Sequence, residues 1–352
     1  MMGVRAYAVT CVVAWQLFTP TAVVADGNTD GALYGFLTQM DSLQENVSYR
    51  VSVFSSNVDR QIAGAFEETN ASVTESESER FFLTRWFDGY FIDDTHLDHT
   101  NRSYIRVRLG YTFDSKAENQ IINDVKARIR LPLSQERFQL FIGDDTRAGS
   151  DLAMSGTEEE STGVGIRYVM DRYTPERMGS GTSVGISSWD DPFAKLYVDY
   201  TLLDGTWLIK PVQTFRYSKE MEFEEWTDLF IARRFPDDGI LQLLLERSTR
   251  SHSDNMEYLA QLSYWNVNRH RVGFQPYMAL YGRTKALLEN YENGRRADSG
   301  VYNYAAGLIW RRNVLRDYFF YQIHPTVSFH ERYGYRANYL LHLTFEIYFG
   351  RL

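Results

Sequence analysis

Two histidines and a set of regularly spaced charges are the residues of this sequence that offer chemistry. His324 and His342 lie either side of a polar stretch centred on Tyr333. A symmetric turn there sets positions equidistant from Tyr333 opposite one another, so His324 faces His342 and Phe320 faces Glu346. Paired imidazoles can hold a metal, or change charge between about pH 5 and 8. With no third ligand beside them, the same pair serves as polar filling of an interior. Asp93, Asp94, His96, Asp98 and His99 also place carboxylates and imidazoles close together. Metal sites need such donors to converge within a supporting shell, and an acidic loop leading into a strand accounts for the same residues. Ser328 stands between His324 and His330, yet acyl hydrolysis needs nucleophile, base and oxyanion donor in mutual reach. Ser328 has no nucleophile motif around it. No catalytic, cofactor-binding or metal residues are therefore expected, and no cofactor. The remaining candidates are Arg106, Arg108, Arg128 and Arg130, with Glu246 and Glu346. Rings of Arg and Lys inside a passage attract anions. Opposite charges inside a barrel fill it and fix its register.

Position decides between these readings, and strands supply it. From Tyr104 the pattern takes a period of two. Ile105, Val107, Leu109, Tyr111 and Phe113 alternate with Arg106, Arg108, Gly110 and Thr112. The next strand sets Val125, Ala127, Ile129 and Leu131 against Lys126, Arg128 and Arg130. Further strands are expected at 137–144, 161–171, 181–189, 193–203, 206–218, 226–236, 239–249, 256–267, 270–283, 300–311, 317–330 and 336–349. In the last, Tyr339, Leu341, Leu343, Phe345, Ile347 and Phe349 form one unbroken apolar face. Leu340, His342, Thr344, Glu346 and Tyr348 form the other, as alternation requires. An apolar face toward lipid and a polar face toward a lumen is the signature of a membrane-spanning barrel strand. The expectation is an all-β, antiparallel transmembrane barrel of about fourteen strands, with roughly twelve to sixteen left open.

The connections alternate accordingly, short on the periplasmic side and longer outside. Turns at 134–136, 203–205, 236–238, 267–269 and 312–316 are short. Outer loops are expected at 145–160, 219–225, 248–255 and 284–299. The span 172–180 is long for a periplasmic turn, and 190–192 is short for an outer loop. First and last strands must pair to close a barrel, which brings Arg106 and Arg108 near Glu346 and predicts an ion pair across the seam. Pro325 predicts a bulge in its strand. Aromatics such as Trp207, Trp226, Trp265, Trp310 and Tyr348 gather near strand ends, as girdles do at membrane interfaces.

Composition agrees. Aromatics make up 15% of the chain, mean hydropathy is -0.38, and net charge is -9. The acidic balance disfavours nucleic acid, which needs a concentrated basic surface. Residues 1–25 read as a signal peptide: a basic start, an apolar core from Ala6 to Phe18, and Val23-Val24-Ala25 before a cleavage site. Cys11, the sole cysteine, falls inside it, so the mature chain has no disulfide or thiolate chemistry. Residues 26–101 read as a periplasmic extension. Leu43, Val47, Val51, Phe54, Val58, Ile62 and Phe66 recur at helical spacing, with Asp41 or Ser42 as a cap. Residues 67–80 are an acidic, Ser/Thr-rich linker, and residues 102–352 are the barrel.

The segment Tyr318-Phe319-Phe320-Tyr321-Gln322-Ile323-His324-Pro325 with Val327 and Glu331, then Tyr335-Arg336 and Thr344 to Gly350, resembles the C-terminal hairpin of an uncharacterised proteobacterial outer-membrane barrel family. That family carries a W-L-F-Y-E-I-x-P pattern and finishes L-R-L-E-x-x-F-G. Asn101 to Tyr111, Arg128 to Pro132 and Trp86 to Phe91 are similar to it as well. This chain departs at Asp317-Tyr318, where the family has Trp, at Gln322 for Glu, and at His342 for an inward Arg. The resemblance implies the outer membrane of a Gram-negative bacterium and brings no activity. The expected function is a non-enzymatic pore, transport or structural envelope protein; the alternative is a hydrolase acting on lipid or lipopolysaccharide. Expected partners are outer-membrane lipid and lipopolysaccharide, the barrel assembly machinery, and a periplasmic partner through residues 41–66.

Overall fold

The computed structural model describes residues 29–63, 103–131, 138–143, 163–169, 178–187, 190–204, 206–236, 239–251, 253–267, 272–285, 287–290, 296–297 and 299–350. The signal peptide, the linker at 67–80, the Trp86 to Phe91 stretch and the Asp93–His99 group lie outside them.

Alternation of apolar and polar residues folds the chain into strands that pair with their sequence neighbours. The strands are β1 (Tyr104–Asp114), β2 (Gln120–Arg130), β3 (Phe138–Gly143), β4 (Gly163–Val169) and β5 (Met178–Ser187). β6 (Asp191–Tyr200), β7 (Trp207–Ser218), β8 (Glu222–Arg234), β9 (Ile240–Arg250) and β10 (Ser253–Val267) follow. β11 (Val272–Arg283), β12 (Gly300–Asn313), β13 (Phe319–His330) and β14 (Asn338–Gly350) complete the set. β1 pairs with β14, and β6 with β7, so the antiparallel sheet closes on itself as a 14-strand barrel. Short strands at Leu202–Asp204, Leu287–Asn290 and Arg296–Ala297 lie in its connections.

Side chains sort by parity. On β14 the odd-numbered Tyr339 and Phe345 point outward, 65% and 53% exposed, whereas Thr344, Glu346 and Tyr348 are buried inside. Leu109, Phe113, Val164, Ile186, Leu245, Met278 and Tyr304 continue the exposed apolar belt around the wall. An apolar exterior over a charged interior reverses the partition of a water-soluble protein and is what a bilayer requires. The protein is a transmembrane barrel of the outer-membrane type. Its periplasmic end is the one where β1 begins and β14 finishes, because the long connections 144–162 and 284–299 lie at the other end.

Three expectations change. The loops expected at 219–225 and 248–255 shrink to short turns: β7 ends at Ser218 as expected but β8 already starts at Glu222, and only two residues separate β9 from β10. Glu224 and Arg250 look loop-like in sequence, but Glu224 pairs with both Arg216 and Arg250 inside the wall. The bulge at Pro325 is absent. Pro325 lies opposite Leu341 in an unshifted ladder with β14. Only the ladder to β12 is interrupted, between Thr326↔Gly307 and Ile323↔Trp310, where proline has no N–H to give.

The helix α1 (Thr29–Ala63) is longer than its apolar pattern and begins before Asp41 and Ser42, so neither caps it. Within it Thr38 Oγ1 donates to Tyr34 O (2.9 Å) and Asn46 Nδ2 to Ser42 O (2.8 Å). The predicted apolar stripe is only partly honoured: Val51 is buried with Ser55, one turn on, while Phe54 is exposed. No described helix is long and apolar enough to cross a membrane.

Candidate functional site

The interior of the wall carries the candidate residues, arranged as four groups of inward side chains. The first closes the barrel. β1 and β14 meet with Arg108 opposite Glu346 and Arg106 opposite Tyr348. Arg108 Nε donates to Glu346 Oε1 at 2.9 Å, the ion pair predicted across the seam. The Arg106 guanidinium pairs with Asp124 on β2, 3.2 Å away. The second cation on Glu346 is Arg311 of β12, which reaches Oε2 and also donates to the Tyr348 hydroxyl at 3.1 Å. Tyr348 in turn donates to Glu346 Oε2 at 3.1 Å. Arg311 also lies over the Phe320 ring, 4.6 Å from its centre. Glu346, Arg106 and Tyr348 are each 1% exposed. A carboxylate between two guanidiniums, out of water, is stable only because its oxygens accept charge-assisted bonds.

The second group holds the histidines. His324 and His342 face each other across the β13–β14 ladder, ring centres 5.0 Å apart, as the symmetric turn predicts. The turn itself is a short 3-10 segment, Glu331–Tyr333, ended by Gly334 at φ 63°. His324 Nε2 meets the Tyr277 hydroxyl at 2.8 Å and Thr326 Oγ1 at 3.0 Å. His342 Nδ1 meets Thr112 Oγ1 of β1 at 2.8 Å. Among the described residues no three His, Cys, Asp or Glu side chains gather as metal ligands. The histidines act here as anchors in a hydroxyl network spanning β11, β13, β14 and β1. Ser328 is buried opposite Asn338 and Ala305. His330 Nδ1 accepts from Arg332 N at 3.0 Å and is committed to the turn.

The third group sits toward the outer end. Arg216 on β7 reaches Glu224 Oε2 (3.3 Å), Ser187 Oγ (3.0 Å) and Asp191 Oδ2 (3.8 Å). Arg250 Nε meets Glu224 Oε1 at 3.1 Å. On β11, Arg283 pairs with Glu331 and lies over Tyr302. The fourth group is apolar. Phe230, Leu244, Leu259, Trp265, Ala279 and Ile309, on five adjacent strands, are all buried on the inner face.

Of the predicted residues, Arg108 and Glu346 meet across the seam and His324 and His342 face each other across the β13–β14 ladder, as two separate pairs. Arg128 faces inward on β2, opposite Phe141. Arg130 stands opposite Gln139. Glu246 stands apart on β9, opposite Asp228 and Leu259. Sequence reasoning missed Asp124, because the second strand starts at Gln120 and not near Val125. It also missed Arg311, whose inward companions Ala305, Gly307 and Ile309 carry no polar alternation to reveal the face.

No protein-family model and no curated protein matches this chain. Solved structures similar to it are outer-membrane proteins. OmpT of Vibrio cholerae with loop L8 deleted has a TM-score of 0.44 at 8% identity, covering 70% of this chain and 98% of that one. OprB of Pseudomonas putida at low pH has a TM-score of 0.40 at 8% identity, over 74% and 98%. OccK10 (OpdN) of Pseudomonas aeruginosa has a TM-score of 0.39 at 9% identity, over 70% and 98%. Likeness of this degree carries no activity to this chain; the barrel rests on its own closure and side-chain partition.

Proposed function

We propose that this chain is a non-enzymatic outer-membrane barrel of the transport class whose passage is closed at rest. One observation carries the reading: inward polar side chains that a water-filled lumen would leave wet are buried. Arg106, Gln275 and Glu346 are each 1% exposed, and Gln139 and Arg311 are buried too. The ion pairs of Arg106, Arg311 and Glu346 hold these charges against the wall. Planar-bilayer recording of the refolded full chain tests this. The expected record is quiet, with rare, small steps. Frequent, steady ohmic steps would overturn the closed reading. Lipid or lipopolysaccharide turnover abolished by Ser328→Ala would overturn the non-enzymatic one.

Within this reading the chain groups with the proteobacterial outer-membrane family its last hairpin resembles. Supporting that, residues 318–325 and 344–350 do form the hairpin that closes the barrel. Its surroundings are lipid and lipopolysaccharide against the outward belt, and the barrel assembly machinery during biogenesis. Residues 41–66 serve a periplasmic partner. Loss of co-purifying proteins on deleting them, with the barrel still folded, is the expected result; an unchanged set of proteins would count against that role.

A further inference from the structure

The outward faces of β7, β8 and β9 run between two aromatic levels. Trp207, with Arg233 over its ring at 5.3 Å, marks the periplasmic level, and the exposed Tyr217 and Phe223 mark the outer one. Trp207 and Tyr217 stand ten residues apart on β7. At about 3.3 Å per residue and a tilt near 40° that spans about 25 Å, the height of a barrel's apolar band. Outward positions inside the band should be apolar, as Leu196 and Val198 are on β6 and Ala260 and Leu262 on β10. On the three strands between they are not. Arg247 and Gln213 lie opposite Thr227 from either side. Thr227 is four residues below Phe223 on β8, a depth of about 10 Å. Arg247 donates to Glu225 Oε1 at 2.8 Å, and Gln213 Nε2 to the same oxygen at 3.1 Å. Thr227 Oγ1 donates to Gln213 Oε1 at 2.8 Å. The Arg247 and Glu225 side chains are 47% and 27% exposed.

A guanidinium carries five N–H donors, and among the described residues Glu225 alone accepts from this one. Acyl chains offer no acceptor, and lipid headgroups lie at the aromatic level or above it. A protein face with polar groups at the same depth does fit. An identical copy has them necessarily, because rotation about the membrane normal keeps every residue at its own depth. With that axis between β8 and β9, β8 of each copy faces β9 of the other, acid before base. We propose that the outward face of β7 to β9 is where two copies of this barrel pair in the membrane, Arg247 of each meeting Glu225 of the other. The pairing does not depend on whether the passage is open.

The test is energy transfer between donor- and acceptor-labelled copies of the full chain, refolded into phosphatidylcholine liposomes and followed as lipid is added. Transfer that survives dilution, with two bleaching steps per particle, is expected. Glu225→Leu combined with Arg247→Leu leaves no charge facing lipid, should keep a folded, heat-shifted band, and should weaken pairing at least about tenfold. Glu225→Arg copies alone and Arg247→Glu copies alone should not pair. A mixture of the two should, since each acid then meets a base across the interface; if either reversal fails to fold, the double leucine variant decides. Transfer that falls with dilution in the unaltered chain, more than two bleaching steps, undiminished pairing of the double leucine variant, or a folded mixture that stays apart would each overturn the proposal. A monomeric barrel that binds lipopolysaccharide and loses it with Arg247→Leu would assign the face to lipid and overturn it as well.

Discussion

At the scale of single residues, Glu346 is the charge on which the seam depends. It lies buried between Arg108 and Arg311. Glu346→Gln keeps the shape but removes the charge that Arg108 and Arg311 share, and breaking a buried ion pair in this way costs about 3–5 kcal/mol. The expected outcome is a marked drop in the temperature at which the folded band is lost in heat-shift electrophoresis. Replacing Arg108, Arg311 and Glu346 together by apolar residues of similar size should recover much of the loss, because no charge is then left alone. A smaller effect is expected at Tyr277, whose hydroxyl ties His324 to Thr326. Tyr277→Phe should destabilise by about 1–3 kcal/mol, read as a shift in the urea midpoint. These residues differ in how visible they are in sequence. Arg108–Glu346 is legible because closure forces the first and last strands together and both carry charge on the even positions. Arg311 is not, because alternation is silent where the inward neighbours are Ala, Gly and Ile. The acid partner of Arg106 escapes through a boundary error of a few residues.

At the scale of elements, the alternating pattern locates every strand of the wall and misplaces the outer ends of β8 and β10. β7 to β10 continue past the apolar belt into polar residues that pair with one another, and in one dimension such residues look like loop. What the pattern does not reveal is how neighbouring strands fit. On β5, Gly185 stands opposite Phe193 of β6, and that ring lies over the space a side chain would occupy. A Cβ at Gly185 would meet Val164 O at 2.6 Å and the Phe193 ring at 2.9 Å. Gly185→Ala should therefore cost about 1–3 kcal/mol as overpacking. Gly185→Ala combined with Phe193→Leu should lose less than the sum if the ring is the obstacle. Backbone amide exchange in β5 and β6 would report the same loosening locally. On β12, Gly307 does the same for Tyr277, whose hydroxyl would lie 2.7 Å from a Cβ added there. The hydroxyl network therefore depends on a glycine in a strand that carries neither histidine.

At the scale of the whole molecule, one barrel wall separates two environments, and the separation is uneven. Over most of the circumference the outward side chains are exposed, as lipid contact demands. Near the periplasmic ends of β14, β1 and β2 they are not: Val107, Ala127, Ile129, Ile347 and Phe349 point outward and are nonetheless buried. The chain covers its own seam there, so the lipid-facing surface begins above that level. Two kinds of substitution distinguish the zones. Leu245→Arg, in the exposed belt of β9, should cost about 2–4 kcal/mol near the membrane midplane and less toward the interface. Phe345→Cys, once labelled with a fluorophore, should be quenched by a lipid-soluble quencher, and Ile347→Cys should be protected, although the two positions are next-but-one neighbours. Equal quenching would mean that the seam is bare to lipid and that its burial is lost in the membrane. Protection at 347 would mean that the strand pair where the barrel closes, held inside by Glu346, is also held from outside by the rest of the chain.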